Sequence, residues 1–578
     1  MKILGVSCFY HDSAAALVVD GTLVAAAGEE RFTRIKHDAE LPANAVAFCL
    51  DRADLSINDL DYIAFYDKPL TKFERIVTGY MATPFRSYRA FLIAIPVWLR
   101  RKLWADHVIH KELGYDGEVL FLPHHLSHAA GTFYSSPFGR AAILTIDGVG
   151  EWANASYGIG DNNSVKLLAE MHYPHSIGLL YSAFTYYLGF QVNSAEYKVM
   201  GLAPNGEPRF ASLIEEKLVK IHDDGSIHLN LDYFTFHYGL TMTGSKLEKM
   251  FGRPRRTPES QVEPFHEDVA ASIQAVTEKI VLKMAYHVKA QTGMDKLCMA
   301  GGVALNCKAN GILLKERIFD DVYVQPASGD AGGAVGAALY AHHKLTGEPK
   351  KLQPFFGIGP QYPEQDIRTF LESNQIPYTL DSSDGQLVRL VQEIADGEIV
   401  AVFQGAMEFG PRALGFRSIV ADARDNKMKE KINAAVKYRE PFRPFAPAVL
   451  VEDSSEYFDC NGDSPCMLFN FTVAEDKRQV IPAVTHVDNS SRIQTVTRKD
   501  NPFFYDLLVH FKRLTGVPVL LNTSFNLRGH PIVNTPEEAF ATFCSGGIDF
   551  LLMENYLIDK SQVPKEVQEK FIVEKAPD

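Results

Sequence analysis

The sequence predicts an α/β fold in two parts, the first built from two related lobes. Three observations carry this. Apolar strand-like runs repeatedly end in short Gly-rich acidic loops, one strand–loop–strand grammar occurs twice, and the composition changes abruptly after Lys344. Runs bounded by turn residues read as strands, and a repeated grammar reads as a duplicated unit.

The elements follow in order. "ILGVSCF", "AAALVVD", a D-G turn at Asp20–Gly21 and "TLVAAAGEERF" make a hairpin-rich opening. "DLDYIAFYD" and "GEVLFLP" are further strands, and the second runs straight into "HHLSHAAG". "AAILTIDGVGEWANASYGIGDNN" then repeats the opening: strand, Gly-rich acidic loop, second strand, polar turn. "DKLCMAGGVALNCKANGILL" reads as strand, Gly-Gly turn and helix. "DVYVQPASGDAGGAVGAALYAHHK" repeats that pattern with a helix of Ala and Gly suited to close packing. Residues 1–345 therefore form the first domain. Segment 346–366, with four prolines, is a linker; 367–560 form a second α/β domain and 561–578 a charged tail or peripheral helix.

Composition narrows the function. The 578 residues are 46% hydrophobic and 22% charged, ordinary for a soluble globular chain. A formal charge of -13 argues against a sequence-independent grip on nucleic acid. The most apolar stretch, "AFLIAIPVWL" at 90–99, is interrupted by Pro96 and is too short to span a bilayer. Arg86, Arg89, Arg100 and Arg101 flank it, which would suit a membrane-surface or substrate-rim helix. A buried helix kinked at Pro96 is the reading adopted, so no membrane partner is expected. The chain opens on strand-like "KILGVSCF" rather than a secretory leader, and its seven cysteines form no C-x-x-C pair. Buried thiols in a reducing cytoplasm are the expectation.

Chemistry gathers in a few places. Loops "YHDSAA" (10–15), "DGVGEW" (147–152) and "AGGVALN" (300–306) each follow a strand, where backbone N–H groups can cradle phosphate. Together, in this order, they resemble the phosphate and adenosine loops of the actin-like ATPase superfamily. His124 and His128 are four apart, so on a helix they share a face and suit one first-row metal. Asp147 and Asp330, both placed beside small residues, are the candidate oxygen ligands. His125 points elsewhere. The plainer reading is a helix start whose histidines cap and pack. In the second domain, "MEFGPRALGFRSIVADARD", "NAAVKYREPFRPFAPAVL", "SSRIQTV" and "LLNTSFNLRGHPI" concentrate arginine among Pro, Phe and Gly. Guanidinium pairs bidentately with phosphate and carboxylate, so a polyanion pocket is expected there.

Ten motifs in order, among them "YHDSAAALVVDG", "EERFTRIKHD", "HHLSHAA", "LTIDGVGEW", "GGVALN", "SGDAGGAVGAA", "FGPRALGFRSI", "FRPFAP" and "LNTSFN", resemble the NodU/CmcH-type O-carbamoyltransferases over residues 1–560. The resemblance implies an actin-like N-terminal domain, related to the tRNA threonylcarbamoyl transferases, and a YrdC-like C-terminal domain. It implies that the latter converts carbamoyl phosphate and ATP, with Mg(II), into carbamoyladenylate, releasing phosphate and pyrophosphate. The former then passes the carbamoyl group to a hydroxyl of a small-molecule acceptor with the help of Fe(II) or a similar divalent metal. By motif, His124, His128, Asp147 and Asp330 stand at metal positions, and Arg412 and Arg443 at carbamoyl-phosphate positions. Arg492, Asn522 and Ser524 stand at nucleotide positions. Gly301, Gly302 and Asn306 lie in the adenosine loop, and Arg417 in the arginine motif. Asp12 accepts or orients the acceptor proton, and Lys36 contacts the intermediate.

Stretch 68–115 matches no motif; Tyr66 just before it and Arg86, Tyr88, Trp98 and Trp104 within it are the candidate acceptor-lining residues. An actin-like kinase is one alternative, but it leaves the second domain and the H-x-x-x-H pair unused. A tRNA-modifying enzyme would want a basic stripe the sequence lacks. A non-catalytic ATP-binding regulator would not need two complete sites. Nothing in the sequence chooses between monomer and homodimer.

Overall fold

The computed structural model describes residues 1–381, 383–460 and 462–573. The chain divides into two compact units, one of Met1–Glu29 with His37–Gln353, the other of Glu30–Lys36 with Pro354–Asp578.

The first unit holds two five-stranded sheets of one topology. In the first sheet, β1 (Lys2–Ser7), β2 (Ala14–Val19) and β3 (Thr22–Gly28) form an antiparallel meander, while β4 (Tyr62–Phe65) and β5 (Glu118–Phe121) extend β1 in parallel. In the second, β6 (Arg140–Ile146), β7 (Ala153–Asp161) and β8 (Ser164–His172) form the meander. A small hairpin, β9 (Val219–Ile221) and β10 (Ile227–Leu229), precedes β11 (Lys296–Ala300) and β12 (Asp321–Val324), which extend β6 in parallel. The orders β3-β2-β1-β4-β5 and β8-β7-β6-β11-β12 are therefore the same arrangement twice. The duplication anticipated from the repeated grammar is present.

Small residues let the helices close on these sheets. A Cβ on Gly5 of β1 would lie 1.9 Å from the Ala334 carbonyl oxygen, and one on Gly336 would lie 1.8 Å from that of Ser127. Helices His124–Ser135 and Asp330–Thr346 thus approach backbone to backbone, as the Ala/Gly composition predicts.

The segment expected to be a linker is partly bound into this unit. Gln353 is buried, accepting from the Leu23 amide (2.8 Å) and donating to the Gly21 carbonyl (2.9 Å). Conversely, Glu30–Lys36, assigned by sequence to the first domain, belongs with the second unit; Arg34 pairs there with Glu538 at 3.2 Å.

The second unit is a mixed seven-stranded sheet. It comprises β13 (Val400–Phe403), β14 (Arg417–Asp422), β15 (Ala446–Leu450), β18 (Gln494–Val496), β19 (Val519–Ser524), β20 (Phe550–Met553) and β21 (Tyr556–Asp559). Its order is β18-β15-β19-β14-β13-β20-β21, and a hairpin of β16 (Asn470–Thr472) and β17 (Ser490–Arg492) lies apart. Apolar clusters cover both faces, so β13, β14 and β15 are buried throughout, and β13 and β15 read as continuous apolar runs. Residues 561–573 include a short helix, Lys565–Lys570; the rest of the expected tail, 574–578, lies outside the described residues. All seven cysteines are free and buried.

Candidate metal centre and arginine loops

Four ligand candidates meet at strand ends of the first unit. His124 opens the helix after β5, Asp147 follows β6, and Asp330 begins the helix after β12. His128 lies one helical turn beyond His124. Their ligating atoms all fall within 4.8 Å of one another, and all four residues are buried. His124 Nε2 is 3.0 Å from Asp147 Oδ2 and 3.1 Å from His128 Nε2; the two imidazoles lie 3.7 and 3.6 Å from Asp330 Oδ1.

Two imidazole nitrogens facing each other at 3.1 Å, with two carboxylates converging on them, make a donor set for a cation. Two nitrogens and two oxygens in a buried cage fit a first-row divalent metal. With protons in its place, burial opposes charge on His128, but Asp147 and Asp330 outweigh it and push the pKa up to about 9. Burial likewise opposes ionisation of Asp147, yet the imidazoles hold its carboxyl well below the usual range.

The surroundings fix the ligands. The His124 amide donates to Glu151 (3.0 Å), and the Gly302 amide donates to Asp147 Oδ1 (2.9 Å). Gly301 has φ of 93°, and a Cβ there would lie 2.3 Å from the Ile146 carbonyl oxygen. These glycines therefore have a local task of holding Asp147. Asn306 caps the following helix through Ala309 N (3.1 Å) and exchanges two 3.0 Å hydrogen bonds with Gln274. Its amide helps to shape the loop expected to receive the nucleotide. His125 turns away to Thr145 Oγ1 (2.7 Å), and burial pushes its pKa down to about 3.

Asp12 sits at φ 53°, clamped by His11 Nδ1 (2.8 Å) and His37 Nδ1 (2.7 Å). Burial works against its charge, but these imidazoles hold its carboxyl far below the carboxylate range. For His11, burial is outweighed by Asp330 and Asp12, and the pKa rises to about 9. Neither histidine was singled out by sequence; "YHD" and "KHD" beside an acidic loop were the available signal.

Of the five candidate acceptor-lining residues, Tyr66 is the one placed against the cluster, its Oη 3.5 Å from Asp330. Trp98 packs on Phe73 with centroids 5.9 Å apart. Arg86, Tyr88 and Trp104 are exposed. Buried Lys72, paired with Asp67 at 2.5 Å, was missed because a helical Lys in an apolar run reads as surface.

In the second unit the arginines divide. Arg417 is fully buried, stacked 3.5 Å over Phe403, and its guanidinium donates to the carbonyls of Gln404, Phe416 and Gly405 at 2.8–3.1 Å. Burial lowers its pKa to about 10. Its two terminal nitrogens thus serve the backbone around its own loop, an architectural task beside the cofactor role expected of it. Glu408 shapes the same loop, accepting from the amides of Leu414, Phe416 and Arg417 at 2.7–3.1 Å. Arg412 lies in that loop, half-buried, and Arg443 lies 3.7 Å from Glu440. Arg492 ends β17, and Lys36 is half-buried in Glu30–Lys36.

Asn522 on β19 donates to Gln494 (2.7 Å) and Ala413 (3.2 Å), and its buried Oδ1 has no partner among the described residues. Ser524 donates to Asn526 Oδ1 (2.7 Å). Beside them, Lys437 ends a π-helical turn, a form frequent at functional sites. Among the described residues its buried ammonium meets only neutral oxygens, including Asn526 Oδ1 at 2.8 Å and Ser524 Oγ at 3.3 Å. Burial, then Arg439 and Arg443, drive its pKa well down.

A duplicated α/β unit with a buried two-histidine, two-aspartate centre, joined to a mixed α/β unit with arginine loops, defines a two-unit α/β protein with a candidate metal site. Residues 2–339 match the family described as carbamoyltransferase N-terminus, and residues 391–560 match carbamoyltransferase C-terminus. The chain belongs to the carbamoyltransferase family.

It is 46% identical to an uncharacterized protein of Synechocystis sp., covering 98% of both chains. It is 38% identical to nodulation protein NolNO of Sinorhizobium fredii, over 96% of this chain and 80% of that one. With nodulation protein U of Bradyrhizobium diazoefficiens the identity is 28% over 98% of each. Full-length HypF in its phosphate- and nucleotide-bound form aligns with 60% of this chain and 56% of its own, at 14% identity and a TM-score of 0.32. Among the described residues no helix is long and apolar enough to cross a membrane.

Proposed function

We propose that this carbamoyltransferase forms carbamoyladenylate in its second, YrdC-like unit and transfers the carbamoyl group to a hydroxyl in its first. Water cleaves carbamoyl phosphate to carbamate and phosphate. A carbamate oxygen then attacks the α-phosphorus of ATP, expelling pyrophosphate. Arg412 and Arg443 bind the phosphate-bearing substrates, while Arg492, Asn522 and Ser524 face the nucleotide and Lys36 the adenylate. Lys437 and Glu408 keep those loops in shape.

In the first unit the acceptor oxygen attacks the carbamoyl carbon, the C–O bond to AMP breaks, and the hydroxyl proton passes to solvent water. His124, His128, Asp147 and Asp330 would hold Fe(II) or a similar cation, which supplies charge neutralisation for the AMP phosphate as it leaves. Asp12, held as a carboxylate by two imidazoles, accepts the hydroxyl's hydrogen bond and fixes its oxygen. So low a proton affinity suits orientation better than storage of the proton.

The observation that carries this reading is the buried donor set of His124, His128, Asp147 and Asp330 in a chain of this family. The experiment incubates the protein with ATP, Mg(II), carbamoyl phosphate and a panel of hydroxylated small molecules. Expected products are AMP, pyrophosphate, phosphate and an acceptor heavier by one carbamoyl group. ADP with a phosphorylated acceptor would replace this reading with the kinase one.

A further inference from the structure

The helix Pro84–Arg100 carries its apolar stripe on the wrong side for a core helix. Ser87 and Ala90 are its buried residues. Facing out are Phe85, Tyr88, Leu92, Ile93, Val97 and Leu99; Phe85 is 98% exposed and the others 48–63%. At about 100° per residue, Phe85, Tyr88, Leu92 and Leu99 fall on one outward face, with Arg89 and Arg100 beside them and Arg86 at its margin. The expectation that this Pro96-containing helix is buried is therefore overturned.

Charge is as uneven as polarity. The protein carries -13 overall, yet residues 75–105 contain six Arg or Lys and no Asp or Glu. Arg101 pairs with Glu40 and Glu112, and Lys102 with the Phe9 carbonyl. Arg86, Arg89 and Arg100 form no salt bridge among the described residues and are exposed.

We propose that this helix is a docking face for an anionic lipid bilayer, lying in the interface with its aromatic and aliphatic side chains inserted and its arginines on lipid phosphates. An outward stripe of Phe, Leu, Ile and Val set with arginine is the signature of an interfacial helix. Each arginine near an anionic surface strengthens binding about five-fold, enough for a local patch to overcome the protein's net charge. A second copy fits less well. Two-fold pairing of a patch with itself sets arginine against arginine, and the run supplies no carboxylate to relieve it. The helix is 17 residues long and lies on the surface; it does not span. The proposal does not depend on the carbamoyl-transfer reading.

Vesicle flotation of the full chain tests it, with phosphatidylcholine alone against phosphatidylcholine mixed with phosphatidylglycerol. The mixed vesicles are expected to bind at least about ten-fold more tightly, with loss of binding as salt is raised. Phe85→Ser combined with Leu92→Ser should cut binding at least about ten-fold. Arg86→Glu, Arg89→Glu and Arg100→Glu together should remove the preference for anionic lipid. Half-exposed Trp104, close to the patch, reports the same event as a blue shift of fluorescence. Thermal melting of the variants, all altered at exposed positions, should match the parent. Equal flotation of parent and variants would overturn the proposal. So would a dimer in sedimentation that the serine variants dissociate, since a second copy would then be the occupant.

Discussion

The cation-seeking cluster of the first unit and the cation-rich loops of the second solve opposite problems. Around His124 and His128, four ligating side chains converge with their donor atoms aimed at one another. Such an arrangement needs a positive ion, or protons in its place, to be stable. Around Arg417, buried positive charge is already answered by carbonyls and by the face of Phe403. A cluster that its own neighbours leave electrostatically incomplete points to a ligand, whereas one they complete points to architecture. Counting residue types does not separate the two; the direction of each donor and acceptor does.

The sharpest way to break the comparison is to remove a convergent ligand. His124→Ala or His128→Ala should strip the metal and lower acceptor carbamoylation by at least about a thousand-fold, roughly 4 kcal/mol of barrier. Carbamoyl-phosphate-dependent pyrophosphate release should continue. Elemental analysis beside a pyrophosphate assay reads both. Metal retained in both variants would make the cluster a packing arrangement and nothing more.

Next in size are the arginines proposed to touch substrate. Arg412→Ala or Arg443→Ala should slow pyrophosphate release by about a hundred- to a thousand-fold, the cost of an anion losing its guanidinium partner, roughly 3–4 kcal/mol. Synthetic carbamoyladenylate supplied directly should restore transfer. If it does not, in variants that melt normally, the two chemistries are not divided between the units.

Arg417 should behave in the contrary way. Arg417→Met strands several buried carbonyls and should destabilise the second unit by about 3–5 kcal/mol, seen as a lower melting temperature. ATP affinity of the protein that remains folded should stay within about two-fold. A normal melt with lost ATP binding would put Arg417 back among the nucleotide ligands.

How much of this could be read from the sequence depended on range. The helical spacing of His124 and His128 is local, and strand-end loops announce themselves by glycine, so the donor set was legible before the fold was known. What was not legible is what tertiary contacts decide. The pairing of Asn306 with Gln274, 32 positions earlier on another helix, has no signal in the loop's own sequence. For Arg417 the Pro, Phe and Gly neighbours suggest a pocket, and the same neighbours also build the cage of carbonyls and the Phe403 ring around it. The stripe at 85–99 was misjudged for the same reason, since periodicity reveals an apolar face but not which way it points.

His125 offers the finest test, because it is the one imidazole of "HHLSHAA" that turns away from the cluster, its Nδ1 meeting Thr145 Oγ1. Its pKa is pushed from the ordinary 6.5 down to about 3 by burial. A histidine that folds in its neutral form contributes stability that is fully present above its unfolded value. That contribution is lost as the unfolded chain takes up the proton below it. Stability credited to His125 should therefore fall from about pH 6.5 toward pH 3, at up to about 1.4 kcal/mol per pH unit. His125→Gln keeps a hydrogen-bonding group for Thr145 but has no proton to bind. Denaturant unfolding of both proteins, in chelator so that metal release does not intrude, gives the comparison. The variant should gain on the parent steadily as the pH drops through that window, and its metal content at neutral pH should match the parent's. Parallel curves would mean that the folded protein protonates His125 as readily as the unfolded chain does. The division between an imidazole that serves the fold and two that serve a cation would then have to be drawn elsewhere.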